Sequence, residues 1–280
     1  MHGCGNDFVI INGFTQEIKS PEAWAAKLAN RHYGVGGDGV VLILPPTDGA
    51  DAAMRMFNPD GSESQMCGNA IRCVAKYLYD NRLIKKAQMS VATLSGRKEL
   101  WLTVENGLVA SVKVNMGRAE LAPERIPVKF AGESVVAQMI NIGGESFSVT
   151  CLSMGNPHAV VFCPNVDHFD VAGLGPRFEN DKLFPERVNA EFSEVIARNH
   201  LKVRVWERGC GETQACGTGA CAAATAAVLN GFCDKGADIR VQLPGGPLVV
   251  NYTDQAVMMT GDCAKVFDGV IEIEMLLSRT

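Results

Sequence analysis

Glu63-Ser-Gln-Met-Cys67-Gly-Asn-Ala70 and Glu212-Thr-Gln-Ala-Cys216-Gly-Thr-Gly219 are two copies of one motif. Glu, Gln, Cys and Gly coincide at an offset of 149 residues, and Ser aligns with Thr. Upstream, Arg55-Met-Phe-Asn58 aligns with Arg204-Val-Trp-Glu207 at the same offset. Nearer the start, Gly5-Asn6 followed by Val9-Ile-Ile11 aligns with Gly155-Asn156 followed by Ala159-Val-Val161, now at an offset of 150. Three matches in register over half the chain indicate a duplicated unit of about 150 residues, an ordinary domain size. The period is too long for a solenoid. The expectation is two similar lobes related by a pseudo-twofold axis, with the equivalent motifs facing each other across a cleft.

Hydrophobic patterning gives the class. Val109–Met116, Val135–Ile142 and Phe147–Leu152 read as strands. The tail from Ile239 reads as hairpins around Pro244-Gly-Gly, Thr253-Asp and Thr260-Gly-Asp. Helices are fewer. One starts near Gly68 and carries Ile71, Val74, Ala75 and Leu78 at helical spacing; its counterpart starts near Gly217 and is Ala-rich. Short strands, turns and few helices predict an α+β fold, each half a mostly antiparallel sheet wrapped around its own apolar helix.

The 280 residues are 47% hydrophobic and 20% charged, with a formal net charge of -5. Such a chain buries a core, and without a basic run it is a poor partner for nucleic acid. Met1–Ile11 lacks the basic start and apolar stretch of a signal peptide. The longest small-apolar run, Ala220–Leu229, is far short of the ~20 residues that span a bilayer. A cytoplasmic protein with no membrane partner is expected. Its ten cysteines include no C-x-x-C pair, so neither paired zinc ligands nor a thioredoxin-like dithiol is indicated. Most of them read as small buried hydrophobes. Cys73, Cys210 and Cys221 lie near the repeated motifs but are unmatched in the repeat, and stay in that group.

Cys67 and Cys216 differ from the rest because each precedes a Gly-x-x opening into a helix. A helix start carries unpaired N–H groups and partial positive charge. A thiol there drops from about 8.5 into the range of roughly 3.5–7.5 in favourable cases. The flanking glycines let amides approach a substrate carboxylate closely. Two such ends suit inversion at an α-carbon: one thiolate removes the proton, and the other cysteine delivers one to the opposite face. The oriented amides stabilise the carbanion, and two nearby sulfurs titrating as a pair favour one thiolate and one thiol.

Longer strings now carry a family resemblance: His2-Gly-Cys-Gly-Asn-Asp-Phe8, Gly34-Val-Gly-Gly-Asp38, Phe57-Asn-Pro-Asp-Gly-Ser-Glu63 and Met66-Cys-Gly-Asn69. They continue with Met154-Gly-Asn-Pro-His158, Trp206-Glu-Arg-Gly209, Ala215-Cys-Gly-Thr-Gly219 and Leu243-Pro-Gly-Gly246. From His2 to about Phe267 the chain resembles diaminopimelate epimerases. The resemblance implies a homodimer with no cofactor and no metal, converting LL- to meso-diaminopimelate on the way to lysine. It implies Cys67 as proton donor and Cys216 as acceptor, with His158 and Glu207 tuning the pair. It implies substrate contacts from Asn6, Asn58, Asn156, Asn189, Glu207 and Arg208, and from Gly68-Asn69 and Gly217-Thr218 at the reacting end. Lobes would span residues 1–117 and 118–263, with a strand at 264–280 returning to the first. Arg208 offers a planar fork for a distal carboxylate.

The chain departs from the family in three places. It begins inside the first motif. Gly39 stands where some members place a Gln near the substrate, and Ala70 replaces a common Gly.

A two-cysteine racemase of another amino acid, such as histidine or proline, is the alternative within the same chemistry. Gly34-x-Gly-x-x-Gly39 suggests a nucleotide loop instead, but Val40–Leu44 reads as a strand where a dinucleotide needs a helix. A thiol redox or metal protein is a third class, separable by metal analysis and a thiol count.

Overall fold

A computed structural model describes residues 1–16 and 19–272. The chain divides into two compact units. The first is Met1–Val114 with the segment from Gly261 on, and the second is Asn115–Thr260.

The first unit runs β1 (His2–Gly3), β2 (Asn6–Asn12), α1 (Pro21–Ala29), β3 (Gly39–Leu44), β4 (Ala52–Phe57), β5 (Glu63–Ser64), α2 (Gly68–Asp80), β6 (Gln88–Thr93), β7 (Gly96–Glu105) and β8 (Leu108–Asn115). The second runs β9 (Val135–Ile142), β10 (Glu145–Ser153), β11 (Pro157–Phe162), α3 (Val171–Glu179), β12 (Asn189–Ala197), β13 (His200–Glu207), β14 (Gly211–Thr213), α4 (Gly217–Leu229), β15 (Asp238–Leu243), β16 (Gly246–Tyr252) and β17 (Val257–Gly261).

The pairings repeat as the motifs do. β2 and β3 are parallel neighbours, and so are β11 and β12; Phe8 sits opposite Gly39, and His158 opposite Asn189. β3–β4 and β12–β13 are antiparallel, β4–β6 and β13–β15 parallel, β6–β7 and β15–β16 antiparallel. Helices α2 and α4 have 13 residues each and follow the repeated cysteine. The fold is α+β, with antiparallel pairings in the majority.

Each long helix is the centre of its unit. α4 packs against β10, β11, β12, β13, β15 and β16. It is apolar on every face, and Ala220 to Ala227 are all buried, because a helix without a polar stripe has no face to offer water. α2 packs against β1, β2, β4 and β7 and buries Ile71, Val74, Ala75 and Leu78.

Two helices go beyond the sequence expectation. α1 begins at Ser20-Pro21 with proline in its first turn but no capping side chain. α3 is capped by Asp170, whose carboxylate accepts from Gly173 N at 2.9 Å. The turns at Pro244–Gly245 and after Tyr252 are hairpins, as read, whereas Thr260-Gly-Asp is not: β17 ends at Gly261 and the chain continues to Ala264, which bridges His2. Residues 265–272 form no regular element, so the strand expected from 264 on is absent there, and its remainder lies outside the described residues.

The glycine-rich loop after α1 is spent on that helix. Gly34 N bonds Asn30 O, Val35 N and Gly36 N share Leu28 O, and Gly37 N bonds Ala29 O. Its amides satisfy the last carbonyls of α1 rather than a phosphate. β3 then follows at once.

Candidate active site

In the first unit, Cys67 is the residue before α2, with extended backbone at φ -136° and ψ 122°. It is half-buried, and its sulfur lies 3.8 Å from Asn6 Oδ1. The same oxygen accepts from Asn69 Nδ2 at 3.1 Å. Asn6 Nδ2 donates to Asp38 Oδ2 at 2.7 Å, and Asp38 in turn pairs with Arg31. Asp38 thereby fixes which way the Asn6 amide faces, and the amide oxygen is held toward Cys67. Asn6, Cys67, Gly68 and Asn69 come together here. Asn58 sits in the β4–β5 turn, where it donates to Ser62 Oγ at 3.0 Å.

Gly39 has no room for a side chain such as the Gln expected there in some members of the family. A Cβ there would stand 2.8 Å from the carbonyl oxygen of Phe57 on the adjacent strand.

In the second unit, Cys216 precedes α4 with φ -113° and ψ 113° and is only 6% exposed. Unlike Cys67, it caps its helix: Gly219 N donates to the sulfur at 3.3 Å, and Thr218 Oγ1 lies 3.4 Å away. Asn156 Nδ2 donates to Thr218 Oγ1 at 3.3 Å, and Asn156 Oδ1 is 3.0 Å from His158 Nε2. The other ring nitrogen of His158 lies 2.7 Å from Glu191 Oε1. Burial holds the His158 pKa down, at about 3, so the ring is neutral; nearby Glu207 opposes that shift and Arg208 reinforces it.

Glu207 ends β13 and accepts from Thr213 Oγ1 at 2.6 Å. Asn189 is buried with both ends of its amide on backbone: Nδ2 donates to Pro157 O and Oδ1 accepts from Arg208 N, each at 2.9 Å. Its visible work is to hold the chain that carries Arg208. The Arg208 guanidinium donates one N–H to Glu186 O at 2.8 Å.

The expected drop in thiol pKa at the helix start does not hold for Cys216. Burial pushes the thiol well above its usual value; the Glu207 charge adds to that, as an ionised Glu191 would. The bonds from Thr218 and Gly219 pull the other way and are outweighed. Desolvation of a sulfur anion beside two carboxyls exceeds what one helix end returns.

Glu191 was missed in the sequence. It sits within the apolar stretch of β12 and is fully buried. A signal was available: 150 residues earlier, Val41 occupies the same register position beside Gly39 that Glu191 occupies beside Asn189. An acid in one copy opposite a valine in the other marks a place where the two lobes do different things.

The diaminopimelate epimerase family model matches residues 1–122 and 150–266. A diaminopimelate epimerase of Acetivibrio thermocellus is 50% identical over 278 residues, covering 99% of this chain and 98% of that protein. One from Desulfovibrio desulfuricans is 50% identical over 277 residues, with 96% of each chain covered. Among solved structures, a probable proline racemase from Agrobacterium radiobacter superposes with a TM-score of 0.70 at 15% identity, over 93% of this chain and 88% of that one, a likeness of fold. With its motifs, its duplicated fold and near-complete alignment to such relatives, this chain belongs to the diaminopimelate epimerase family.

Proposed function

We propose that this enzyme interconverts LL- and meso-diaminopimelate by a two-base transfer, with Cys67 donating and Cys216 accepting the α-proton in the biosynthetic direction. The observation that carries the reading is a cysteine at the start of the central helix in each of two duplicated units. Positioned acid–base groups contribute on the order of 10²–10⁴ in rate, and first-turn amides contribute by stabilising the carbanion. In the resting protein Cys216 is a thiol. It becomes the base when its proton passes to solvent water as substrate binds, with Gly219 N and the Thr218 hydroxyl stabilising the charge left on the sulfur.

The reacting end of the substrate is assigned to Asn6, Asn69, Asn156 and the amides at Gly68, Gly217 and Thr218. Asn58 and Asn189 are further assigned to the substrate, Asn189 by holding Arg208. The distal carboxylate is assigned to Arg208, which has N–H donors beyond the one given to Glu186 O. The enzyme works without cofactor or metal, in the cytoplasm and as a homodimer, a reading supported by the family resemblance; none of the described helices is long and apolar enough to cross a membrane. We assign the two epimerase lobes to the two compact units, whose bounds lie a few residues from those expected. Sedimentation at micromolar concentration tests the dimer.

The reaction test is the origin of the new α-proton. In D₂O, product formed early from LL-diaminopimelate carries one α-deuterium, while recovered substrate carries almost none. Substrate labelled as fast as product would mean a single base serving both faces. Free histidine and proline assayed in parallel report on the alternative substrates.

Arg208→Met raises KM for diaminopimelate by on the order of 10–100-fold, because a charge-assisted bidentate contact of about 1.5–3 kcal/mol is lost. Unchanged KM would remove Arg208 from the distal site.

A further inference from the structure

Behind Cys216 lies a line of side chains whose hydrogen-bond directions can be worked out one by one. Asn156 Nδ2 donates to Thr218 Oγ1, so Asn156 Oδ1 faces His158 Nε2 at 3.0 Å. An amide oxygen only accepts, so the Nε2 of His158 carries its proton. In a neutral imidazole Nδ1 is then an acceptor, and the group facing it at 2.7 Å, Glu191 Oε1, must donate. Both side chains are fully buried, and the second carboxyl oxygen of Glu191 has no hydrogen-bond partner. A carboxylate in that setting would leave charge on an oxygen that nothing solvates.

We propose that Glu191 is a positioning residue for Cys216: as a neutral carboxylic acid it donates to Nδ1 of His158 and sets a one-way chain, Glu191 to His158 to Asn156 to Thr218, whose last hydroxyl donates to the Cys216 sulfur.

This rests on the reading of Cys216 as a proton-transfer group. In that chain Thr218 Oγ1 accepts from Asn156 and has its own proton free for the sulfur, which also receives Gly219 N. Two donors then meet the thiolate as it forms. If Glu191 lost its proton, His158 Nδ1 would have to carry one, and a neutral ring would turn a bare Nε2 toward the Asn156 oxygen. The order would fail at its second link.

Other groups around Glu191 agree. Cys151 on β10, Cys216 before α4 and Glu207 at the end of β13 are ionisable groups that interact with Glu191, and Arg208 acts on His158. Burial pushes the Glu191 carboxyl well up, and the Glu207 charge pushes it further. A neutral Glu191 also removes one of the two negative charges that oppose the Cys216 thiolate.

The duplication isolates the device. Phe8 and Val41 hold the register positions of His158 and Glu191 in the first unit, so Cys67 has no such chain behind it. Ala70 and Gly219 differ for the same reason. A Cβ at Gly219 would meet Glu191 Oε1 at 2.9 Å and the Cys216 sulfur at 3.3 Å, whereas the first unit has a valine in place of that acid.

The test uses the whole enzyme and two kinds of readout. In ¹⁵N NMR of His158 without substrate, the neutral Nε2–H tautomer is expected between pH 6 and 9. Glu191→Gln, whose amide still donates, keeps that tautomer, keeps kcat within about 10-fold and leaves the pH profile in place. Glu191→Val, which copies the first unit, lowers kcat about 100-fold with KM nearly unchanged, the scale expected when a reacting group loses its alignment. Glu191→Met serves if the valine variant does not fold. Imidazolium or an Nδ1–H ring in the wild type overturns the proposal. So does a glutamine variant as slow as valine, or a folded valine or methionine variant of normal turnover. The tautomer is read without substrate, so it stands or falls separately from the diaminopimelate assignment, which fails if the wild type leaves LL-diaminopimelate unchanged.

Discussion

Cys67→Ala and Cys216→Ala each lower epimerisation by at least about 10³-fold while the protein stays folded. A positioned acid or base contributes on the order of 10²–10⁴, and in the proposed two-base transfer each sulfur is the sole proton carrier on its face of the α-carbon. The double variant is little slower than either single one, because the two act in one transfer and their losses do not add. Folding is spared: an alanine at either site loses the packing of one sulfur, about 1 kcal/mol. The check is turnover by stereoisomer separation beside a thermal melt. Cys73→Ala is the control. It lies buried on α2, and its thiol is pushed well above the usual range by its bond with Cys263 and by burial, so it melts lower and still turns over. Near-normal turnover in either of the first two variants would remove that cysteine from the mechanism.

A large loss of stability is expected from Gly175→Ala. Gly175 lies in α3, and a Cβ there would stand 2.4 Å from Cγ and Cδ2 of Trp206 and 2.7 Å from its Cβ. Those atoms belong to the root of the ring and cannot swing away without moving β13. Trp206 Nε1 donates to Glu179 Oε2 at 2.7 Å, and Glu179 Oε1 accepts from Gly209 N at 2.9 Å and from Arg187. Shifting the indole therefore strains a nearly buried carboxylate as well as the packing. The cost is about 3 kcal/mol, near the top of the usual range for overpacking. The second unit should then melt on the order of 10 °C lower. Activity of the folded fraction falls too, since Glu207 and Arg208 follow Trp206 directly. An unchanged melting temperature would show that the helix moves aside freely.

Much of the site was legible because duplication writes its motifs twice. Cys67 and Cys216 stand out from eight other cysteines only through their matched surroundings, and the order of strands around them repeats as the motifs do. Asn6 and Asn156 were found the same way, and both sit beside the cysteine of their own unit or the threonine next to it. What the duplication obscured is difference. Glu191 has no counterpart in the first unit, and a search for likeness passes over an acid where its copy has valine.

The amino-acid sequence by itself determined the two-lobe α+β architecture, the central helices and the pair of cysteines. Each of these follows from local periodicity, helix-start chemistry and repetition, which need no knowledge of distant neighbours. The tertiary structure alone decided the ionisation around Cys216. Burial of Glu191, His158 and the thiol depends on strands from well-separated parts of the chain closing over them. Desolvation then outweighs the helix end, so Cys216 rests as a thiol and His158 as a neutral ring. Only with the fold closed could the unpartnered oxygen of Glu191 be seen.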